Sequence, residues 1–102
     1  MEQIKPDIIA TIRFFSTREG GRKSVLPKDR FGCIFTFEGN NFDCFLFQQS
    51  DDPVKPGDTV KMLVKFLYPE LIKHKLVVGS KFSLRDYRVI AEGWVENILD
   101  GD

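Results

Sequence analysis

The sequence predicts an all-β protein, a small six-stranded antiparallel barrel of Greek-key type. Three observations carry this expectation. Apolar and polar residues alternate at period two in several short runs, turn signals rich in Gly, Pro and Asn separate those runs, and no segment holds a helical stripe of useful length. Short connections, with no helices to cover a parallel sheet, favour a barrel over a sandwich, and closure hides the strand edges. At 102 residues and 42% hydrophobic, the chain supports one domain with one modest core. It is expected to span 1–102, with the barrel at 7–99 and short tails at 1–6 and 100–102.

In Asp7 to Ser16, Ile8, Ala10, Ile12 and Phe14 share one face while Thr11 and Arg13 stand on the other, the pattern of a half-buried strand. The stretch Arg18-Glu19-Gly20-Gly21-Arg22-Lys23-Ser24 follows. A phosphate cradle would present backbone amides at a helix start, and no helix follows, so the two glycines read as a turn. Phe31 to Glu38 and Phe42 to Gln48 flank Gly39-Asn40-Asn41 and predict a tight hairpin. With Asn40 and Asn41 as the turn, Phe35 faces Leu46, Phe37 faces Cys44 and Cys33 falls opposite Gln48, so the thiols are not expected to be cross-strand partners. Pro56-Gly57-Asp58 marks the next turn, before a strand at Thr59 to Tyr68 with Val60, Met62, Val64 and Phe66 on one face and Lys61 and Lys65 on the other. Pro69 to Lys75, where Leu71, Ile72 and Leu76 lie among charges, reads as a one-turn helix or a lid-like loop. Lys81 to Arg85 and Tyr87 to Leu99 predict the last two strands. Val89, Ala91, Gly93 and Val95 are expected inward, Arg88, Glu92, Trp94 and Glu96 outward, with Gly93 allowing strong bending.

Fifteen basic residues against fifteen acidic ones leave no global field of the kind that marks a nucleic-acid binder, although a local basic patch stays open. Met1 to Asp7 lacks a basic region followed by an apolar core, and no apolar run approaches the ~20 residues of a membrane helix. A cytoplasmic location without a membrane partner is the expectation. Cys33 and Cys44 are too few and too far apart in sequence for a disulfide scaffold or a zinc site and are expected as buried free thiols. His74 lies in the basic run Ile72-Lys73-His74-Lys75, which favours a surface position over a general base, and neither cysteine has an assignable base beside it. Asp51-Asp52 before Pro53 reads as a solvated turn. No catalytic residue, metal ligand or cofactor is expected, which leaves binding as the function.

Several pieces then fall in an order that carries a resemblance: Glu19-Gly20-Gly21-Arg22, Pro56-Gly57-Asp58-Thr59-Val60-Lys61-Met62, Pro69, Phe82-Ser83-Leu84-Arg85, Ala91-Glu92-Gly93-Trp94-Val95 and Ile98-Leu99. Over residues 9 to 99 the chain resembles the carboxy-terminal, third barrel domain of elongation factor Tu, as a stand-alone relative. The resemblance implies a six-stranded antiparallel barrel whose business is surfaces: one against a GTPase domain, one for the T-stem backbone of aminoacyl-tRNA, one for an exchange factor. These residues hold no Gly-rich loop ending in Gly-Lys-Ser or Gly-Lys-Thr, so the barrel is not expected to act as a GTPase by itself. Arg22-Lys23 stands where that family has Arg followed by His. Arg85-Asp86-Tyr87-Arg88 replaces a longer Arg-Glu-Gly-Gly-Arg loop and lacks the glycines that permit close backbone approach. Gly32, after Arg30-Phe31, stands in place of the family's Gln, and the stretch after Pro69 is longer.

Two sets of binding residues follow. Phe45, Phe47, Trp94 and Tyr68 are the candidates for a protein partner. Phe45 and Phe47 have a parity opposite to Cys44 and Leu46, so one of the two pairs must point out of a closed barrel unless something covers it, with cover from within the chain or an exposed protein-binding patch as the alternatives. Trp94 is expected either as an anchor or beneath the Pro69 to Lys75 segment. Arg22, Lys23, Arg85 and Arg88 are the candidates for RNA phosphate, with contacts that would be salt-sensitive and blind to sequence. A protein partner is the first expectation, linked to translation or to mimicry of the factor in a regulatory, inhibitor or immunity-type role. An RNA-associated accessory is the alternative, and a homodimer remains open.

Overall fold

Alternating side chains close one wall around a single apolar interior. The structure, a computed structural model, describes residues 5–99, and most of the expected tails lie outside the described residues. Its strands are β1 (Ile8–Phe14), β2 (Phe31–Phe37), β3 (Asn40–Gln48), β4 (Thr59–Phe66), β5 (Lys81–Arg85) and β6 (Val89–Ile98). They form a closed antiparallel barrel in the order β1-β4-β3-β2-β5-β6. Among the described residues no helix is long and apolar enough to cross a membrane.

The inward positions are those the alternation marks. Ile8, Ala10, Ile12 and Phe14 of β1, Met62, Val64 and Phe66 of β4, and Phe82 and Leu84 of β5 are all buried. Phe35 lies at the centre, stacked on Phe82 at 4.2 Å between ring centroids and edge-on to Phe66 at 4.9 Å. Gly93 is buried where β6 crosses β1, and a Cβ there would lie 2.3 Å from the Thr11 carbonyl oxygen. The absent side chain is what lets those two backbones meet.

Two expectations of register are corrected. The β2–β3 turn is Glu38-Gly39, both at positive φ (49° and 80°), which matches the twist of the flanking strands. Asn40 and Asn41 are already in β3, so Phe37 pairs with Asn40, Phe35 with Phe42, and Cys33 with Cys44. The thiols are therefore direct cross-strand partners, both buried and free. The second correction concerns β6: a register shift opposite Leu84 and Arg85 inserts an extra residue, so Val89 faces solvent and Ile90 takes the inward place beside Ala91.

Strand directions sort the connections to two ends. The upper end carries residues 15–30, 49–58 and 86–88, and the lower end carries the Glu38-Gly39 turn and the β4–β5 crossover, 67–80. Each end is plugged by its own loop. At the upper end Leu26 and Val54 are buried, and the Leu26 amide donates to the Val54 carbonyl at 3.0 Å. At the lower end the crossover forms two short 3₁₀ turns, Pro69–Leu71 and Lys73–Lys75, and inserts Ile72 and Leu76 into the core.

Asp7 locks that lower end. Its carboxylate is buried and accepts from the Phe66 amide at 2.8 Å and from Lys65 Nζ at 3.3 Å, with Lys73 Nζ at 3.7 Å. Its backbone bonds the carbonyl of Val64 and the amide of Leu99, so one residue joins β1, β4, the crossover and the end of β6.

Candidate binding surfaces

The crossover that plugs the lower end also turns apolar side chains outward. On either side of the buried Ile72 and Leu76, Leu67, Tyr68, Leu71, Val77 and Val78 face solvent, the two valines with 65% and 64% of their surface exposed. A 14-residue connection with only two plug residues leaves its other large side chains no interior to enter. The Val77-Val78-Gly79-Ser80 turn is held firmly: the Val77 amide donates to Ser80 Oγ at 2.9 Å, and Gly79 and Ser80 bond both backbone groups of Val95. Gly79 has φ 93°. The same bonds bring this turn to β6, whose outer wall carries the exposed Trp94 and Ile98. Trp94 sits opposite Lys81 on one side and Thr11 on the other. Of the expected protein-binding residues, Tyr68 thus lies on the lower-end crossover with Leu71, Val77 and Val78, which sequence alternation alone did not mark, and Trp94 on the outer wall of β6.

Phe45 and Phe47 point out of the barrel, both half-buried. Arg30 lies over the Phe45 ring at 4.8 Å, and the ring edge rests on Gly32, where a Cβ would be 3.2 Å away. Phe47 pairs with Leu63, and Leu63 in turn with Ile9, so a half-buried apolar band runs across β3, β4 and β1.

The upper end divides by charge. The β3–β4 connection with Asp51 and Asp52 leaves the barrel on the arc opposite β5 and β6. On the β5–β6 arc the turn 86–88 meets residues 21–24 in a cleft of about 350 Å³, lined among others by Arg22, Lys23, Tyr87 and Arg88. Tyr87 is 96% exposed. Arg22 is committed inward: its guanidinium bonds Asp86 at 3.4 Å and stacks over Phe31 at 4.8 Å. Arg88 reaches the Gly20 carbonyl at 3.5 Å, while Lys23 and Arg85 are exposed, the latter on the far side of Tyr87 in a second cleft with Gly32, Phe45 and Leu67. Three of the four expected phosphate contacts therefore line one cleft, with Asp86 in their midst.

The Gly20-Gly21 loop is a turn built by capping. Ser16 accepts from the Glu19 amide and Glu19 accepts from the Ser16 amide around the 3₁₀ turn Thr17–Glu19, and Gly20 closes it at φ 90°. A Cβ on Gly21 would lie 2.2 Å from the Phe15 carbonyl oxygen. The amides of Gly20 and Gly21 are spent on the Thr17 and Ser16 carbonyls and cannot cradle a phosphate. The Ser16 amide and, secondarily, Arg13 hold the Glu19 carboxyl below its ordinary range. The chain matches no protein-family model and no curated protein at a significant level.

Proposed function

We propose that the protein is a non-catalytic binding module that docks on a protein partner through the β4–β5 crossover and the adjoining wall of β6. The observation that carries this reading is the division of labour within one loop: Ile72 and Leu76 fill the barrel end while Leu67, Tyr68, Leu71, Val77 and Val78 stay in water. Large apolar side chains exposed along one loop, whose Val77–Ser80 turn is bonded to a β6 wall carrying an exposed tryptophan, have the composition of an interface. Resemblance to the elongation factor Tu barrel supports a partner among translation components, GTPases or proteins that recognise the factor, with an inhibitor or immunity-type role by mimicry. A cytoplasmic setting fits those partners.

The test is capture from a lysate of the source cell with the wild-type chain and with the double variant Leu71→Ser, Val78→Ser, each with and without ribonuclease. Both substituted side chains are exposed, so the fold survives. A protein held by the wild type, indifferent to nuclease and lost with the variant is the expected result. Equal capture by the variant overturns the reading.

A second reading rests on the cleft shared by Arg22, Lys23 and Arg88 beside the exposed Tyr87: contact with the phosphate backbone of a tRNA-like RNA. It predicts affinity that falls steeply between about 0.05 and 0.2 M salt, whereas docking through the crossover is nearly flat there.

A further inference from the structure

Neither binding surface uses the two thiols, yet their placement is specific. Cys33 on β2 and Cys44 on β3 are directly opposed, with Sγ atoms 3.7 Å apart inside the barrel wall. Opposed residues of an antiparallel pair have Cα atoms about 4.5–5.5 Å apart, within the roughly 4.4–6.8 Å that a disulfide spans. Bringing the sulfurs to the bonding distance of about 2.05 Å therefore needs side-chain rotation and no movement of the strands. Access differs between them: Cys33 retains 9% exposure against 2% for Cys44, and both border the cleft of about 490 Å³ that opens between Phe45, Arg85 and Tyr87.

We propose that Cys33 and Cys44 form a redox-active dithiol couple, oxidised to a cross-strand disulfide by a low-molecular-weight disulfide such as glutathione disulfide. Cys33, as thiolate, attacks one sulfur of the oxidant, forms a mixed disulfide and releases one thiol. Cys44 then gives up its proton and attacks the Cys33 sulfur, expelling the second small thiol. Both cysteines are oxidised, the reagent disulfide is reduced to two thiols, and each released thiolate takes up one of the two protons. The order follows from the surroundings: the hydrogen bond with Cys33, and then burial, push the Cys44 thiol well above its ordinary range, so Cys44 waits protonated while the more exposed Cys33 leads. Oxidation ties β2 to β3 behind the Phe45 face and makes the barrel's resistance to unfolding depend on redox state.

The test holds the folded protein in glutathione buffers from fully reduced to fully oxidised, with a parallel diamide arm. Samples are quenched in acid, unfolded, alkylated with N-ethylmaleimide and weighed intact. The expected oxidised product is a monomer lighter by two hydrogens with no alkylated thiol, and its melting temperature rises by about 5 °C or more over the reduced form. Cys44→Ser should instead stop at a glutathione adduct on Cys33 and show no such rise. Thiols that stay alkylatable in both arms while circular dichroism reports the native fold overturn the proposal. So do intermolecular dimers, wild-type adducts that never resolve, and a disulfide that forms without raising the melting temperature.

Discussion

Two neighbouring residues of the crossover separate its structural half from its binding half. Ile72 has no exposed surface and Leu71 is 54% exposed, one position apart on the same loop. Truncating a fully buried isoleucine to alanine removes its burial and leaves a cavity, for a cost of about 2–5 kcal/mol. Ile72 sits in the barrel mouth among core side chains that the closed wall holds in place, so little collapse fills the space and the expected loss is about 3–4 kcal/mol. For a domain of this size, about 4–8 °C per kcal/mol places the fall in melting temperature at roughly 12 °C or more. Leu71→Ala, with half its surface already in water, should change stability by less than about 0.5 kcal/mol. The assay is urea unfolding followed by circular dichroism, with a common slope as the check that both variants unfold from the same native state. Similar, small losses for both variants would refute the claim that the crossover plugs the barrel. Similar, large losses would refute the claim that its outer face is free for a partner.

Asp7→Ala should cost about 3 kcal/mol or more, because it removes the acceptor from the buried Phe66 amide and separates Lys65 and Lys73 from their shared carboxylate. Asp7→Asn, which keeps the acceptor and loses only the charge, should cost clearly less in the same denaturation assay. Gly93→Ala forces a methyl group to within 2.3 Å of the Thr11 carbonyl and should destabilise by at least about 2 kcal/mol, with hydrogen exchange accelerated along both β1 and β6. The folded-state pKa of Glu19 lies below its unfolded value, so its contribution is present above the ordinary carboxylate range and is lost as pH falls through the folded value. Glu19→Gln should accordingly lower the melting temperature slightly at neutral pH and flatten the acid limb, so that its profile converges with that of the wild type at low pH, measured by melting temperature against pH.

The barrel was legible because its signal is local. Period-two alternation assigned the inner faces of β1 and β4 correctly, and the Gly39 and Pro56-Gly57 signals located two turns. What failed depended on small shifts of register. Gly39-Asn40-Asn41 offered three positions tolerant of positive φ, and the turn formed two residues earlier than Asn40-Asn41, on Glu38 and Gly39, the first a residue type that seldom adopts that conformation. That shift turned two separate thiols into partners. The extra residue at Ile90 similarly reversed Val89, since a bulge leaves no mark in an alternating string. Arg22 with Asp86, 64 positions apart, and Asp7 with Lys65 and Lys73 are products of topology. No spacing rule reaches them. The exposed crossover was visible only as irregularity, because its apolar residues divide between plug and surface without a period.

The most direct measurement is a hydrogen-exchange footprint of the chain with its captured partner against the chain alone. The proposed function predicts added protection over residues 67–80 and the end of β6 near Trp94, with 21–24 and 85–88 unchanged. Protection confined to 21–24 and 85–88, with the crossover exchanging as in the free protein, would contradict it.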